Sequence, residues 1–285
     1  MNNDSLKQWR WIDSGFADGA THMAIDQAML ENAGSMKIPT MRVYRWRPFC
    51  ISLGYNQSVD CIDLDRCLNS GIDVVRRPTG GRAVLHAEEV TYSVVIPKQG
   101  LSFSSSIGHI YHLVSQGLVR GLRKCGVQAV LQKRSPDFNS HYKTSLSVSC
   151  FSASARHEIL LNGKKLVGSA QRQVHDGILQ HGSILTGEAH LALPEYLKDI
   201  QTSQGDRMKK ILKEKTISIA GYLRHSVDYG EIVRAIKGGM KEELSIEFEE
   251  GELTVEEKDR AEIYYPNFSV FSGKMVPLPE DAVNE

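Results

Sequence analysis

The sequence predicts an α/β fold in which a mixed central β-sheet is flanked by helices, with a smaller second sheet beside it. Short apolar runs typical of strands alternate with stretches whose apolar residues recur every three or four positions, the spacing of an amphipathic helix. Asn162-Gly163 separates two strand-like runs and is a strong signal for a β-hairpin. Beyond about residue 205 the pattern becomes helical, so we expect helices to close the carboxyl end.

The individual elements follow from the same patterns. Strands are expected on both sides of a glycine-rich loop within 74–86, and at residues 9–12, 41–46, 51–53, 90–96, 157–161, 164–169 and 177–186. Helices are expected at residues 21–32, 64–69, 107–125, 206–213 and 232–244. A last helix is predicted to begin at the capping box Thr254-x-x-Glu257.

Composition excludes several classes of protein. The chain has 285 residues, 41% of them hydrophobic, with 34 basic and 34 acidic side chains, so the charge gives no support for nucleic-acid binding. No apolar run approaches the roughly 20 residues that span a bilayer, and the first residues lack the features of a secretory signal. The five cysteines are irregularly spaced, which predicts neither a disulfide framework nor a metal site. We expect a cytoplasmic protein.

The stretch from Val74 to His86 contains the first candidate site. An apolar strand is followed by Arg76-Arg77-Pro78-Thr79-Gly80-Gly81-Arg82 and then by a second strand. Paired glycines let the backbone approach a ligand closely, and neighbouring arginines can bind a carboxylate or a phosphate. The alternative is a simple hairpin turn between two strands, in which the glycines serve only the backbone conformation.

Cys150 is the second candidate, because it directly precedes the predicted hairpin. A thiol with an ordinary pKa is only about 3% thiolate at pH 7, so a nucleophilic cysteine needs a cation nearby. The turn at Asn162-Gly163 could return Lys165 toward Cys150 and supply that charge. The alternative is an inert buried cysteine together with two surface lysines, Lys164 and Lys165.

Several ordered motifs resemble one known family. The Arg-Arg-x-x-Gly-Gly loop with its Val-x-His strand is similar to the signature of the biotin/lipoate ligase and octanoyltransferase superfamily. Its later blocks are matched by 89–95, by Gly163-Lys164-Lys165-Leu166-Val167-Gly168-Ser169-Ala170-Gln171 and by 180–185. The resemblance covers about residues 20 to 245 and implies the biotin/lipoyl ligase type of catalytic domain. It implies a catalytic domain over 1–250 and a helical extension over 251–285 packed on it.

The resemblance is closest to the branch that transfers octanoyl groups from acyl carrier protein through a cysteine. It implies that Cys150 forms an acyl-thioester beside Lys165, and that no ATP or metal is needed. The implied donor is octanoyl-acyl carrier protein. The implied acceptor is a lipoyl-domain protein, such as the glycine cleavage system H protein or a 2-oxoacid dehydrogenase E2 subunit. The implied substrate-binding residues are Arg77, Thr79, Gly80, Gly81, His86 and Ser169, with Val84 and Val167 as walls of an apolar acyl slot.

Two rival functions share these motifs. A lipoate–protein ligase would adenylate free lipoate or octanoate with ATP and Mg²⁺, and should not need Cys150. A non-catalytic acyl-binding protein would need neither Cys150 nor Lys165. The chain also departs from the family pattern. It has Ala87 where many relatives have an aspartate after the histidine, and His22 where the family helix usually begins with asparagine; we expect His22 to be structural.

Overall fold

The computed structural model describes residues 7–99, 107–132 and 158–272. The strands are β1 (Gln8–Ala17), β2 (Thr40–Trp46), β3 (Cys50–Leu53), β4 (Asp73–Arg76), β5 (Val84–His86), β6 (Glu89–Pro97), β7 (Val130–Leu131), β8 (Ile159–Leu161), β9 (Lys164–Gln173), β10 (Gly177–Leu185) and β11 (Glu247–Glu250). The helices are α1 (Gly19–Glu31), α2 (Ala33–Met36), α3 (Leu64–Asn69), α4 (Ile107–Lys124), α5 (Thr202–Lys215), α6 (Ile219–Leu223), α7 (Tyr229–Leu244) and α8 (Val255–Phe268).

The strands form two sheets, which confirms the predicted α/β fold. The large sheet has eight strands in the order β11-β1-β2-β6-β10-β9-β8-β7, and the small sheet has the order β4-β3-β5. The large sheet is mixed, because β1 pairs in parallel with both of its neighbours whereas the pairs from β2 to β7 are antiparallel.

The glycine-rich loop is not a hairpin turn. The strands before and after it, β4 and β5, both pair with β3, one in parallel and the other antiparallel. The loop therefore crosses the end of β3, and the simple-turn interpretation is wrong. The hairpin predicted at Asn162-Gly163 is confirmed, since both residues have positive φ and the flanking strands β8 and β9 pair with each other.

One face of the large sheet is covered by α4 and α7, which pack closely against each other. A methyl group on Gly239 of α7 would lie only 2.1 Å from the backbone nitrogen of Gly121 on α4. Glycine at the crossing therefore lets the two backbones touch. None of the helices within the described ranges is long and apolar enough to cross a bilayer.

The opposite face carries α1, and α8 packs against that helix. The predicted capping box is present, because Thr254 accepts from the Glu257 amide and Glu257 accepts from the Thr254 amide. Glu257 also forms a two-pronged ion pair with Arg10 of β1, at 2.6 and 2.8 Å, and both side chains are buried. The last helix is thus bound directly to the first strand. The domain boundary after residue 250 stays a prediction.

Candidate active site

A cavity lies where the two sheets and α1 meet. It holds about 440 Å³ of empty space, a figure that includes the open solvent at its mouth. Its wall is mostly apolar and also carries hydroxyl and imidazole groups. The lining residues are Met23, Tyr44, Trp46, Ser52, Arg77, Val84, His86, Thr91, Gly168, Ser169, Ala170, His181, Gly182 and Ser183.

His86, in the wall of this cavity, is held by a series of hydrogen bonds. Its Nδ1 lies 2.8 Å from Oε1 of Glu89, and its Nε2 lies 2.7 Å from the hydroxyl of Ser52. Oε1 of Glu89 also accepts from the hydroxyl of Ser183 at 2.8 Å. Burial on its own raises the pKa of Glu89, but the charge and hydrogen bond of His86 and the hydrogen bonds of two neighbouring hydroxyls together outweigh it and leave the pKa below its ordinary value. Glu89 therefore supplies the orienting acid that Ala87 cannot.

A second series of hydrogen bonds lies behind the glycine-rich loop and again joins a carboxylate, an imidazole and a hydroxyl. His181 lies with Nδ1 2.9 Å from Oδ2 of Asp26 and with Nε2 2.6 Å from the hydroxyl of Thr79. Because the carboxylate accepts from Nδ1, the Thr79 hydroxyl donates to Nε2. Burial lowers the pKa of His181 despite the neighbouring carboxylate, so the ring is neutral. Thr79 is thus fixed by a partner 102 residues further along the chain.

Arg77 binds the backbone of the glycine-rich loop, and Arg76 binds the backbone of a neighbouring turn. Arg77 donates to the carbonyls of Ser52, Gly80 and Arg82 at 2.9–3.2 Å, and Nη1 of Arg76 donates to three carbonyls of the turn after β3. Gly81 has a φ of 103°, which favours glycine. A methyl group on Gly54 would lie 2.1 Å from the carbonyl oxygen of Gly81. The loop is therefore held by Arg77 and by close glycine contact.

Lys165 is turned toward the cavity side of the large sheet by a bulge. Ile159 pairs with Val167 and Leu160 pairs with Lys165, so Leu166 is an extra residue in β9. Leu166 and Val167 both pack into the core beneath α4 and α7, which turns Lys165 to the opposite face. There its Nζ lies 2.6 Å from Oε1 of Glu158, and both side chains are buried. Cys150 lies in 133–157, outside the described residues.

His22 occupies a structural position, as expected. Its Nε2 donates to the Arg45 carbonyl at 2.7 Å, and its Nδ1 accepts from Nη2 of Arg42 at 2.7 Å. The same arginine forms a buried ion pair with Asp26 at 3.0 Å. Burial, followed by the charge of Arg42, lowers the pKa of His22 from 6.5 to about 3, so the ring is neutral.

The predicted site residues differ in whether the structure places them in the wall of the cavity. Arg77, His86 and Ser169 line the cavity, as does Val84, and Thr79 lies one hydrogen bond behind it. Within the described residues, Gly80, Gly81 and Lys165 are not part of its wall, and Val167 packs in the core instead. Sequence reasoning missed Asp26, Glu89, Ser52 and Glu158, whose partners are found only in the folded chain, although Glu89 follows His86 at a spacing of three.

The four described cysteines are poor nucleophiles. Cys50, Cys61, Cys67 and Cys125 are free thiols, and burial raises the pKa of each of them above the ordinary value of 9.0. For Cys67 the pKa rises to about 11. A raised pKa reduces the fraction of thiolate at neutral pH. None of these four has the environment that a nucleophilic thiol requires.

Comparison with known proteins identifies relatives over most of the chain. The chain is 36% identical over 266 residues to "Octanoyltransferase LipM" of Clostridioides difficile, covering 92% of this chain and 97% of that protein. It is 35% identical to the protein of the same name from Bacillus subtilis, covering 88% and 91%. These relatives confirm the resemblance noted in the sequence.

Solved structures with the same fold are lipoate–protein ligases. The bipartite ligase of Thermoplasma acidophilum, described with its E2 lipoyl domain, superposes with a TM-score of 0.74 at 23% identity, over 90% of this chain and 92% of that one. A lipoate-protein ligase A bound with ATP superposes with a TM-score of 0.69 at 23% identity, over 91% of this chain and 94% of that one. The family model of the lipoyl protein ligase A/B catalytic domain matches residues 18–241. The chain therefore belongs to the lipoyl protein ligase A/B catalytic domain family.

Proposed function

We propose that this protein is an octanoyltransferase of lipoate biosynthesis, which moves an octanoyl group from octanoyl-acyl carrier protein to a lysine of a lipoyl-domain protein. The observation that carries the proposal is its 36% identity, over nearly the whole length, to a relative named as an octanoyltransferase. Further relatives of that name are 35–37% identical. The ligases with the same fold are only 23% identical and bear on the fold alone.

In the first step, the thiolate of Cys150 attacks the thioester carbon of the donor. A new bond forms between the Cys150 sulfur and the acyl carbon, the bond to the phosphopantetheine sulfur breaks, and that sulfur leaves as a thiol after taking up a proton. The raised pKa values of the four described cysteines argue against those four as the nucleophile, and the motif around Cys150 is what assigns the role to it. The free-energy change for converting one thioester into another is close to zero, so no ATP is required.

In the second step, the ε-amine of the acceptor lysine attacks the acyl-thioester. The amide bond forms, the bond to the Cys150 sulfur breaks, and the amine gives up its proton as the thiolate is released. Lys165 would favour the thiolate by its charge and donate to the acyl oxygen as negative charge develops there. Its ion pair with Glu158 supports this role, because a buried carboxylate at 2.6 Å holds the ammonium in one orientation.

The lining of the cavity supports a role in binding an acyl chain. Met23, Tyr44, Trp46, Val84 and Ala170 contribute apolar surface, which suits an alkyl group, and the hydroxyl and imidazole groups of the lining can orient the polar end. We propose that Arg77, Thr79, Gly80, Gly81, His86 and Ser169 form or support this site. For Arg77, Thr79 and the glycines the role is to hold the loop in the shape described above.

The partners follow from the reaction. An acyl donor and a lipoyl-domain acceptor are needed, and we propose octanoyl-acyl carrier protein as the donor. The proposed acceptor is a glycine cleavage system H protein or a 2-oxoacid dehydrogenase E2 subunit. We propose a cytoplasmic location, because five irregularly spaced cysteines suit a reducing compartment. We propose further that neither ATP nor a metal ion takes part.

The test is the intact mass of the purified protein after mixing with octanoyl-acyl carrier protein in the absence of ATP. We expect the wild type to gain one octanoyl group that hydroxylamine removes and that passes to an added apo lipoyl domain. Cys150→Ala should gain nothing, whereas Cys125→Ala should behave like the wild type. If the lipoyl domain is modified only when ATP and free octanoate or lipoate are supplied, the protein is a ligase and the proposal is wrong.

Lys165 is tested by a pair of neighbouring variants. Lys165→Met removes the buried ammonium, whereas Lys164→Met removes one that donates to the Lys213 carbonyl at an exposed position. We expect Lys165→Met to slow octanoyl transfer by about 100-fold or more, a loss typical of a group that stabilises developing charge. Lys164→Met should retain the rate of the wild type. Equal rates in the two variants would contradict the role of Lys165.

A further inference from the structure

A groove larger than the active-site cavity lies at the carboxyl end of β2, and this β2 groove holds about 1440 Å³ of empty space, a figure that includes open solvent. Its wall is formed by the ends of β1 and β2, the turn between β5 and β6, and the segment that joins α6 to α7. Two phenylalanines of the wall, Phe16 and Phe49, are each 44% exposed. Exposed aromatic rings gathered in one depression are typical of a surface that binds another protein.

Two arginines of the β2 groove lie over the ring of Phe16. Arg45 is the partner of Phe16 in the pairing of β2 with β1, and its guanidinium carbon lies 4.0 Å from the centroid of that ring. The same carbon lies 3.9 Å from the ring centroid of Tyr229. The guanidinium carbon of Arg47, an exposed residue, lies 4.3 Å from the Phe16 centroid. Because the rings meet the faces of the guanidinium groups, the N–H donors at their edges are left for an anion.

These two arginines are not paired with acids of the described chain. Neither guanidinium forms an ion pair with a carboxylate of the described residues, and Nε of Arg45 is buried without a hydrogen-bond partner among them. The two acids of the groove wall have other partners, since Oε1 of Glu89 lies 2.8 Å from Nδ1 of His86 and Oε2 of Glu88 accepts from the Ala189 amide at 3.1 Å. The β2 groove therefore offers two guanidinium groups beside two exposed rings.

We propose that the β2 groove is the docking surface for octanoyl-acyl carrier protein, with Arg45 and Arg47 binding acidic side chains of the carrier around the rings of Phe16 and Phe49. The inference rests on the proposed acyl transfer and adds the place where the donor binds. Opposite charges set the orientation of a docked partner and speed its association, while aromatic rings and arginines supply much of the binding energy in protein interfaces.

The position of the β2 groove favours the donor over the acceptor. Within the described residues Lys165 is not part of its wall, so a partner seated there is held away from the reacting groups. The donor carries its acyl group on a long phosphopantetheine arm, so its body can dock at a distance from Cys150. The acceptor offers only its own lysine side chain, so its body must lie directly over the acyl-thioester. The arm also begins at a phosphodiester, an anion that guanidinium groups bind well.

The test measures KM separately for octanoyl-acyl carrier protein, for octanoyl-pantetheine, which has the same thioester without the protein, and for an apo lipoyl domain. We expect Arg47→Glu to raise the KM for octanoyl-acyl carrier protein by about tenfold, since like charges in an interface weaken binding on at least this scale. Its kcat, its rate with octanoyl-pantetheine and its KM for the lipoyl domain should match the wild type. Lys210→Glu makes the same change of charge at an exposed position of α5 and is the matched control.

Arg45→Glu and Phe49→Ala extend the test to the second charge and to an exposed ring, and each should raise the same KM. Because Arg47 is exposed, Arg47→Glu decides the matter if Arg45→Glu fails to fold. An unchanged KM for the carrier in Arg47→Glu, an equal loss with octanoyl-pantetheine, or an equal effect of Lys210→Glu would overturn the inference and leave the proposed function standing. A rise confined to the KM for the lipoyl domain would assign the groove to the acceptor and overturn it as well. A wild type that transfers octanoyl from neither donor would overturn the proposed function, and this inference with it.

Discussion

Replacement of His22 by asparagine should remove a large part of the acid sensitivity of this protein. The folded chain holds the ring neutral, with a pKa of about 3, whereas in the unfolded chain the pKa is near 6.5. Above pH 6.5 the ring is neutral in both states and has no effect. Below it the unfolded state binds a proton that the folded state cannot, so the free energy of unfolding falls as the pH falls.

The magnitude follows from the two pKa values. Each unit by which the pH falls between 6.5 and about 3 lowers the free energy of unfolding by roughly 1.4 kcal/mol, and the whole interval lowers it by about 5 kcal/mol. This is a large share of the 5–15 kcal/mol that is typical of a folded domain. The structural cause is that Nδ1 of His22 faces the Arg42 guanidinium at 2.7 Å, so a proton there would meet a positive charge in a buried site.

The assay is urea unfolding of the wild type and His22→Asn at pH 7.5, 6.5, 5.5 and 4.5. Carboxylates titrate in both proteins, so their effect cancels in the difference between the two free energies. We expect that difference to move in favour of His22→Asn by about 2–3 kcal/mol between pH 6.5 and 4.5. His175→Asn, at an exposed position, is the control and should show a constant difference. A constant difference for His22→Asn would refute the neutral, buried histidine.

Three further substitutions test close contacts. Gly239→Ala should lower the free energy of unfolding by about 1–3 kcal/mol, because its methyl group meets the backbone of α4. Gly238→Ala is the control for thermal melts, since its methyl group meets only a flexible lysine at 3.9 Å and should leave the stability unchanged. Gly54→Ala should push the glycine-rich loop aside and slow octanoyl transfer by about 100-fold, while Gly205→Ala on α5 keeps the wild-type rate. Glu257→Ala leaves the buried Arg10 of β1 without its carboxylate and should lower the free energy of unfolding, measured in urea, by about 3–5 kcal/mol. A decrease below about 1 kcal/mol would contradict a buried ion pair.

Local patterns in the sequence were enough to predict the fold class, the hairpin and the glycine-rich loop. These features depend on neighbours in the chain: the alternation of apolar residues, the Asn162-Gly163 dipeptide, and the paired glycines beside two arginines. The motifs were also sufficient to identify the family, because several of them occur in a fixed order. The sequence likewise singled out Cys150 and Lys165, whose roles stay predictions.

Long-range packing decided how these residues are used. The sequence could not show that Arg77 also donates to the Ser52 carbonyl, because that acceptor lies 25 residues away and meets Arg77 only when β4 and β5 flank β3. It could not show that Lys165 faces Glu158, because strict alternation along β9 would place the lysine on the core face and only the bulge reverses it.

The buried acids are the clearest case of what tertiary structure adds. Asp26 on α1 reaches His181 across 155 residues of chain, and Glu89, which is local to His86, also accepts from Ser183 on β10, 94 residues away. The sequence by itself determined which side chains were present and which local shapes they preferred. Only the folded structure decided which carboxylate meets which imidazole, because burial makes an unpaired charge costly and so forces partners from distant segments together.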